Sequence, residues 1–68
     1  MARTVLRRRE VEARVGLKKS DLYARMAAGE FPRPIPLGAR AVGWLEEEVD
    51  AWVTARVAER ERRQGPAR

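Results

Sequence analysis

The side chains able to do chemistry in this chain are nearly all charged, and the cations outnumber the acids. Histidine and cysteine are absent, leaving Asp, Glu, Lys, Arg, one tyrosine (Tyr23) and one serine (Ser20) as reactive types. Zinc sites and nucleophile–base pairs are built chiefly from the missing types. A chain of 68 residues also supplies little wall for a water-excluding pocket. An enzyme is therefore not expected, and neither is a cofactor. What remains is binding chemistry. The chain holds 15 Lys and Arg against 10 Asp and Glu, a net charge of +5. Ten of the basic residues fall in positions 1–44 with only four acids, whereas positions 45–68 carry five arginines and six acids. A positive first two-thirds followed by a near-neutral remainder is the pattern of a polyanion-binding surface backed by a structural helix.

Those cations need elements to hold them. Val11 and Val15 share a helical face over Arg8 to Val15, with Glu10 and Arg14 as an opposite-charge pair, and Gly16 stops the helix. A second short helix opens at Leu17 and runs to about Ala28, with Leu22 and Met26 on one face and Gly29 closing it. Two such helices joined by Gly16-Leu17 have the helix-turn-helix layout, although a plain αα-corner reads the same way. Pro32, Pro34 and Pro36 then alternate. Because successive N–H groups of a strand point to opposite edges, they remove donors from one edge and leave those of Arg33, Ile35 and Leu37 on the other. With Gly38-Ala39-Arg40 as a turn and Ala41 to Trp44 returning, the segment predicts an isolated two-stranded hairpin burying Ile35, Leu37, Val42 and Trp44. The competing reading is a Pro-rich linker. From Leu45, the residues Leu45, Val49, Trp52, Val53 and Val57 form one apolar stripe. Glu46, Glu47 and Glu48 occupy its first turn, where helix capping accounts for them better than a metal site with Asp50. Trp44 and Trp52 are expected in the core. The fold class is mainly α with a small β-hairpin, a winged helix-turn-helix whose two-stranded wing lies between helices two and three. Residues 1–6 form an N-terminal arm, 7–58 the domain, and 59–68 a frayed helix end and disordered tail.

With Leu22 and Met26 inward, the second helix turns Ser20, Ala24 and Ala27 outward, flanked by Lys19 and Tyr23. Small side chains permit close approach to a groove floor, and an alanine can touch a thymine methyl. Lys18, Lys19 and Ser20 near the helix N-terminus suit base edges or phosphate. Tyr23 either donates its hydroxyl to a phosphate or sits at the core edge. Arg25 lies between the faces, reaching the backbone or solvent. Arg40, at the hairpin tip, suits a phosphate or a narrow minor groove, or is a solvated turn residue. Arg33 is a weaker phosphate candidate. In the run Arg7-Arg8-Arg9, Arg8 and Arg9 are weaker backbone candidates, with a solvated face as the alternative.

The run Arg9-Glu10-Val11, then Gly16-Leu17, Leu22-Tyr23, Ala28-Gly29-Glu30-Phe31-Pro32, Leu37 to Trp44 and Glu48-Val49-Asp50-Ala51-Trp52 closely resembles the AlpA-type regulators of prophages and other integrated elements. These in turn look like excisionases and the DNA-binding domain of MerR-type activators. The resemblance spans roughly residues 5–57. It implies a second helix in the major groove, a hairpin wing on backbone or minor groove, and control of transcription or excision of a mobile element. Such proteins usually carry Ser where this chain has Lys18, often a basic residue at Ala24, and a leucine at Arg25. The expected partner is double-stranded DNA, with the protein itself as dimer or cooperative array, and no small-molecule ligand. A DNA-bending excisionase and a protein-interaction adaptor are the alternatives, while RNA binding is disfavoured by the scarcity of exposed aromatics. With no membrane-spanning run and no signal peptide, a cytoplasmic, nucleoid-associated location is expected.

Overall fold

The computed structural model describes residues 3–64. In chain order the elements are β1 (Val5–Leu6), α1 (Arg8–Val15), α2 (Lys19–Ala27), β2 (Ile35–Pro36), β3 (Val42–Leu45) and α3 (Glu46–Gln64). Three helices and a hairpin between the second and third give the expected winged helix-turn-helix architecture.

The hairpin is not isolated. β3 is the middle strand of a three-stranded antiparallel sheet in the order β1-β3-β2. Val5 pairs with Leu45 and Leu6 with Trp44, and the Glu46 N–H extends the ladder by donating to the Thr4 carbonyl at 2.9 Å. Val5 and Leu6, assigned from sequence to an arm, therefore close the far edge of β3, and Leu6 is buried. A two-stranded ribbon leaves one strand edge of β3 unpaired, and β1 satisfies it. On the other side Ile35 pairs with Gly43 and Pro36 with Val42, while Leu37 N–H donates to Ala41 O at 2.7 Å across the turn. The alternating prolines thus leave β2 as an edge strand, as their spacing required.

The core consists of Leu6, Val11, Leu22, Phe31, Trp44 and Val49, with Val15, Leu17, Met26 and Trp52 packed around it. Every main element except β2 contributes to it. The hairpin arms bury less than their sequence suggested. Trp44 is fully buried, but Leu37 is 45% and Val42 36% exposed. Val42 shares the Trp44 face but lies two residues nearer the tip, past the cover of the helices.

Helix boundaries follow local chemistry. Glu10 Oε1 accepts the Arg7 N–H at 2.8 Å, which is one half of a capping box. The reciprocal half is impossible because a guanidinium has no acceptor. Glu10 is thereby drawn away from the expected pair with Arg14, which instead reaches Glu46 and Asp50 on α3 at 2.7 and 3.4 Å. Gly16 ends α1 at φ +72° and donates to Glu12 O at 2.8 Å. α2 begins two residues later than Leu17, with Lys18 in extended conformation as its cap and no side-chain bond there. Its C-terminus is a Schellman turn. Gly29 takes φ +75° and donates to Met26 O at 3.1 Å, while Glu30 N–H reaches Arg25 O at 2.8 Å. α3 begins after Leu45, which is still strand, and remains regular through Gln64, beyond the expected fraying from residue 59. Glu59 pairs with Arg56 and Arg63 along it, at spacings that support a helix. Positions 65–68 of the expected tail lie outside the described residues.

Candidate nucleic-acid interface

Both tryptophans hold the short segment that joins α2 to the hairpin. Trp44 Nε1 donates to Pro32 O at 3.0 Å, and Trp52 Nε1 donates to Glu30 O at 2.7 Å. Phe31, buried between them, meets Trp52 edge to face at 5.0 Å. The Glu30 carbonyl that Trp52 meets directly follows the Schellman turn at Gly29. α2 and the hairpin are thus fixed relative to each other by α3 and β3. Trp52 is only half-buried, unlike the core position expected for it.

The outer arc of α2 matches the sequence expectation. Lys18, Lys19, Ser20, Ala24 and Ala27 are exposed, and Tyr23 is 41% exposed. Leu22 is buried on the opposite face. The Tyr23 side chain is therefore open to solvent on part of its surface. It lines a cleft of about 380 Å³ with Arg7, Arg8, Arg9, Arg40 and Val42. The start of α1, the flank of α2 and the hairpin tip meet there. Arg7 ties two of these together, because its Nε donates to Val42 O at 3.1 Å. Arg33 is exposed but does not line the cleft.

One candidate stands apart from this surface, and another lines it already paired. Arg25 is half-buried, with its guanidinium 5.9 Å from the centroid of the Trp52 ring. That is a cation–π contact on the side of α2 facing α3. Arg8 is half-buried and bound to Glu12 at 2.6 Å one turn along α1. Arg7, expected from sequence only as part of the basic run Arg7-Arg8-Arg9, lines the cleft beside Arg8 and Arg9. Its tie to the hairpin was hidden because the carbonyl that holds it is 35 residues away in sequence.

Charge pairing sorts by element. Arg3, Arg8, Arg14, Arg56, Arg60 and Arg63 each have a carboxylate partner. Most of these pairs involve α3: Arg3 bonds Glu47, which raises the guanidinium pKa and holds the Glu47 carboxyl below its usual value of 4.5. Hydrogen bonding to Glu46 likewise raises Arg14. Among the described residues, Arg7, Arg9, Lys18, Lys19, Arg33 and Arg40 have no such partner, and all belong to the start of α1, to α2 and its cap, or to the segment from Phe31 to the hairpin tip. Arg62, on α3, and the Trp52-bound Arg25 complete the carboxylate-free set. No three described Asp or Glu residues are grouped to hold a metal ion, and no described helix is long and apolar enough to cross a membrane.

The architecture is a small helix-turn-helix domain with a hairpin and a stiffened junction between the two. The sequence profile of the prophage CP4-57 regulatory protein (AlpA) family matches residues 4–57, and the chain belongs to that family. It is also 44% identical over 57 residues to the uncharacterized protein ORF88 of Enterobacteria phage P4, an alignment covering 84% of this chain and 65% of the phage protein. The chain thus spans just under two-thirds of that relative's length.

Proposed function

We propose that this protein is a sequence-specific, double-stranded DNA-binding regulator of transcription in a prophage or other integrated element. In this reading α2 enters the major groove through Lys19, Ser20 and Ala24, with Lys18 at its rim. Tyr23, Arg7, Arg9 and Arg40 grip the sugar–phosphate backbone beside it, and Arg40 extends toward the minor groove. The observation that carries the reading is the sorting of charge. Six cations without carboxylate partners lie at the start of α1, on α2 and its cap, and from Phe31 to the hairpin tip, while three of the four described arginines of α3 are paired with carboxylates. Folding leaves a cation uncompensated at little cost only in solvent, and a phosphate backbone is the polyanion whose spacing rewards several such cations on one face.

The reading is tested by titrating the protein against the DNA upstream of its own coding region and against a scrambled duplex at several salt concentrations. A preference of about a thousandfold or more for the first is expected. Equal affinities that vanish together as salt rises would overturn it.

A further inference from the structure

We infer that the outer half of α3 is a self-association surface, on which a second copy of this chain lays its own α3 antiparallel. α3 has 19 residues and is about 28 Å long, yet among the described residues its only fully buried side chain is Val49. The same stripe continues through Val53 and Val57, which are 36% and 43% exposed. Together with Val15 and the edge of Trp52 they line a hollow of about 320 Å³, rimmed by Arg14, Arg56 and Arg60, of which Arg56 is paired with Glu59 at 3.2 Å. The helix therefore carries its apolar stripe two turns past the core that needs it.

The charges along α3 select the occupant. Its first turns hold Glu46, Glu47, Glu48 and Asp50 with no cation, whereas its second half holds four arginines, Arg56, Arg60, Arg62 and Arg63, against two acids, Glu59 and Glu61. A parallel copy would set like charges side by side. An antiparallel copy centred between Val53 and Val57 sets Val53 of each chain against Val57 of the other, and brings Arg60 of each toward Asp50 of the other. This is a two-fold, self-complementary arrangement. Asp50 is exposed and only loosely held by Arg14 at 3.4 Å, so it is open to a second cation. α3 lies outside the proposed DNA-binding side, and the inference does not depend on that proposal. With two valines per chain at its centre the contact is small, and association in the range of about 10 to 1,000 µM is expected.

Sedimentation of the full chain without DNA tests this, from roughly 10 µM to 1 mM. The weight-average mass should rise from the 7.8 kDa chain mass toward twice that value. Val57→Glu, outside the core, should keep the helical circular dichroism and weaken association by about tenfold or more. Asp50→Arg alone and Arg60→Asp alone should each be monomeric, and an equimolar mixture of the two should associate, since only the mixed pair places an arginine opposite an aspartate at both ends. A wild-type chain that stays at 7.8 kDa throughout overturns the inference. So does association unaffected by Val57→Glu, or a charge-swapped mixture no more associated than its components.

Discussion

Trp52 on α3 and Glu30 at the end of α2 are joined by an indole N–H donating to a backbone carbonyl at 2.7 Å, across 22 residues of sequence. Trp44 repeats the device two residues further on, at Pro32. Between them these bonds convert the exit of α2 from a flexible loop into a fixed strut, and the position of the hairpin relative to α2 follows from that.

The two bonds should differ in worth. Trp52→Phe keeps the ring against Phe31 and loses one bond to a solvent-exposed carbonyl, so a cost of about 1 kcal/mol is expected. Trp44→Phe leaves a space in the core and removes the partner of Pro32 O, for about 2–4 kcal/mol. Urea unfolding of the two variants measures both, and equal losses would contradict the burial argument.

Gly43 sits where β1 crosses β3. A Cβ there would collide with Val5 Cγ1 and lie 3.0 Å from Leu37 Cδ1 and 3.1 Å from the Leu6 carbonyl. Gly43→Ala should destabilise by about 1–3 kcal/mol. Because the worst clash is with one side chain, Val5→Ala in the same chain should recover part of that loss. A double-mutant cycle by thermal unfolding gives the coupling, which is expected to be nonzero and compensating.

The Arg3–Glu47 pair makes stability sensitive to acid. Arg3 holds the folded Glu47 carboxyl below its ordinary value of 4.5, so the unfolded chain binds that proton more readily. The contribution is present above about pH 4.5 and is lost as pH falls through the folded value. Both groups are exposed, so the effect is small and shrinks with salt. In a pH titration followed by NMR the Glu47 carboxyl should titrate at a lower pH than in Arg3→Ala, and the difference should narrow in 1 M salt.

Much of this fold was legible in the sequence because its strongest cues are local. Gly16 and Gly29 ended their helices where an αL residue was needed, the alternating prolines marked an edge strand, and the acidic triplet marked the start of α3. The residues that misled are those whose setting is made by distant chain. Val5 and Leu6 are too few to show a period, and only pairing with β3 reveals them as strand. Glu10 and Arg14 have helix-pair spacing, but a backbone N–H and the acids of α3 outcompete each other's charge. Of the candidate contacts, Lys18, Lys19, Ser20, Tyr23, Ala24, Arg33, Arg9 and Arg40 are exposed, and an amphipathic pattern suffices to expect that. The diversion of Arg25 to Trp52, the pairing of Arg8 with Glu12 and the entry of Arg7 into the cleft depend on rotamer choices and long-range partners that spacing does not carry.

Arg9 and Arg8 provide a sharp contrast within one turn of helix. Arg9 has no carboxylate partner among the described residues, whereas Arg8 is engaged by Glu12 at 2.6 Å. If uncompensated charge is what meets the backbone, Arg9→Ala should weaken duplex binding several-fold more than Arg8→Ala in an anisotropy titration at low salt. The reverse order would place the engaged arginine at the DNA.

If the unpaired cations of α2 and the hairpin, and not net charge, bind the duplex, the log–log salt dependence of affinity separates wild type, Lys19→Ala, Arg40→Ala and Arg62→Ala, the last removing an equally unpaired charge from α3. Slopes shallower by roughly 0.9 are expected for each of Lys19→Ala and Arg40→Ala where the side chain meets one phosphate, and an unchanged slope for Arg62→Ala. Equal reductions in all three variants, or a reduction confined to Arg62→Ala, would contradict the assignment of binding to those cations.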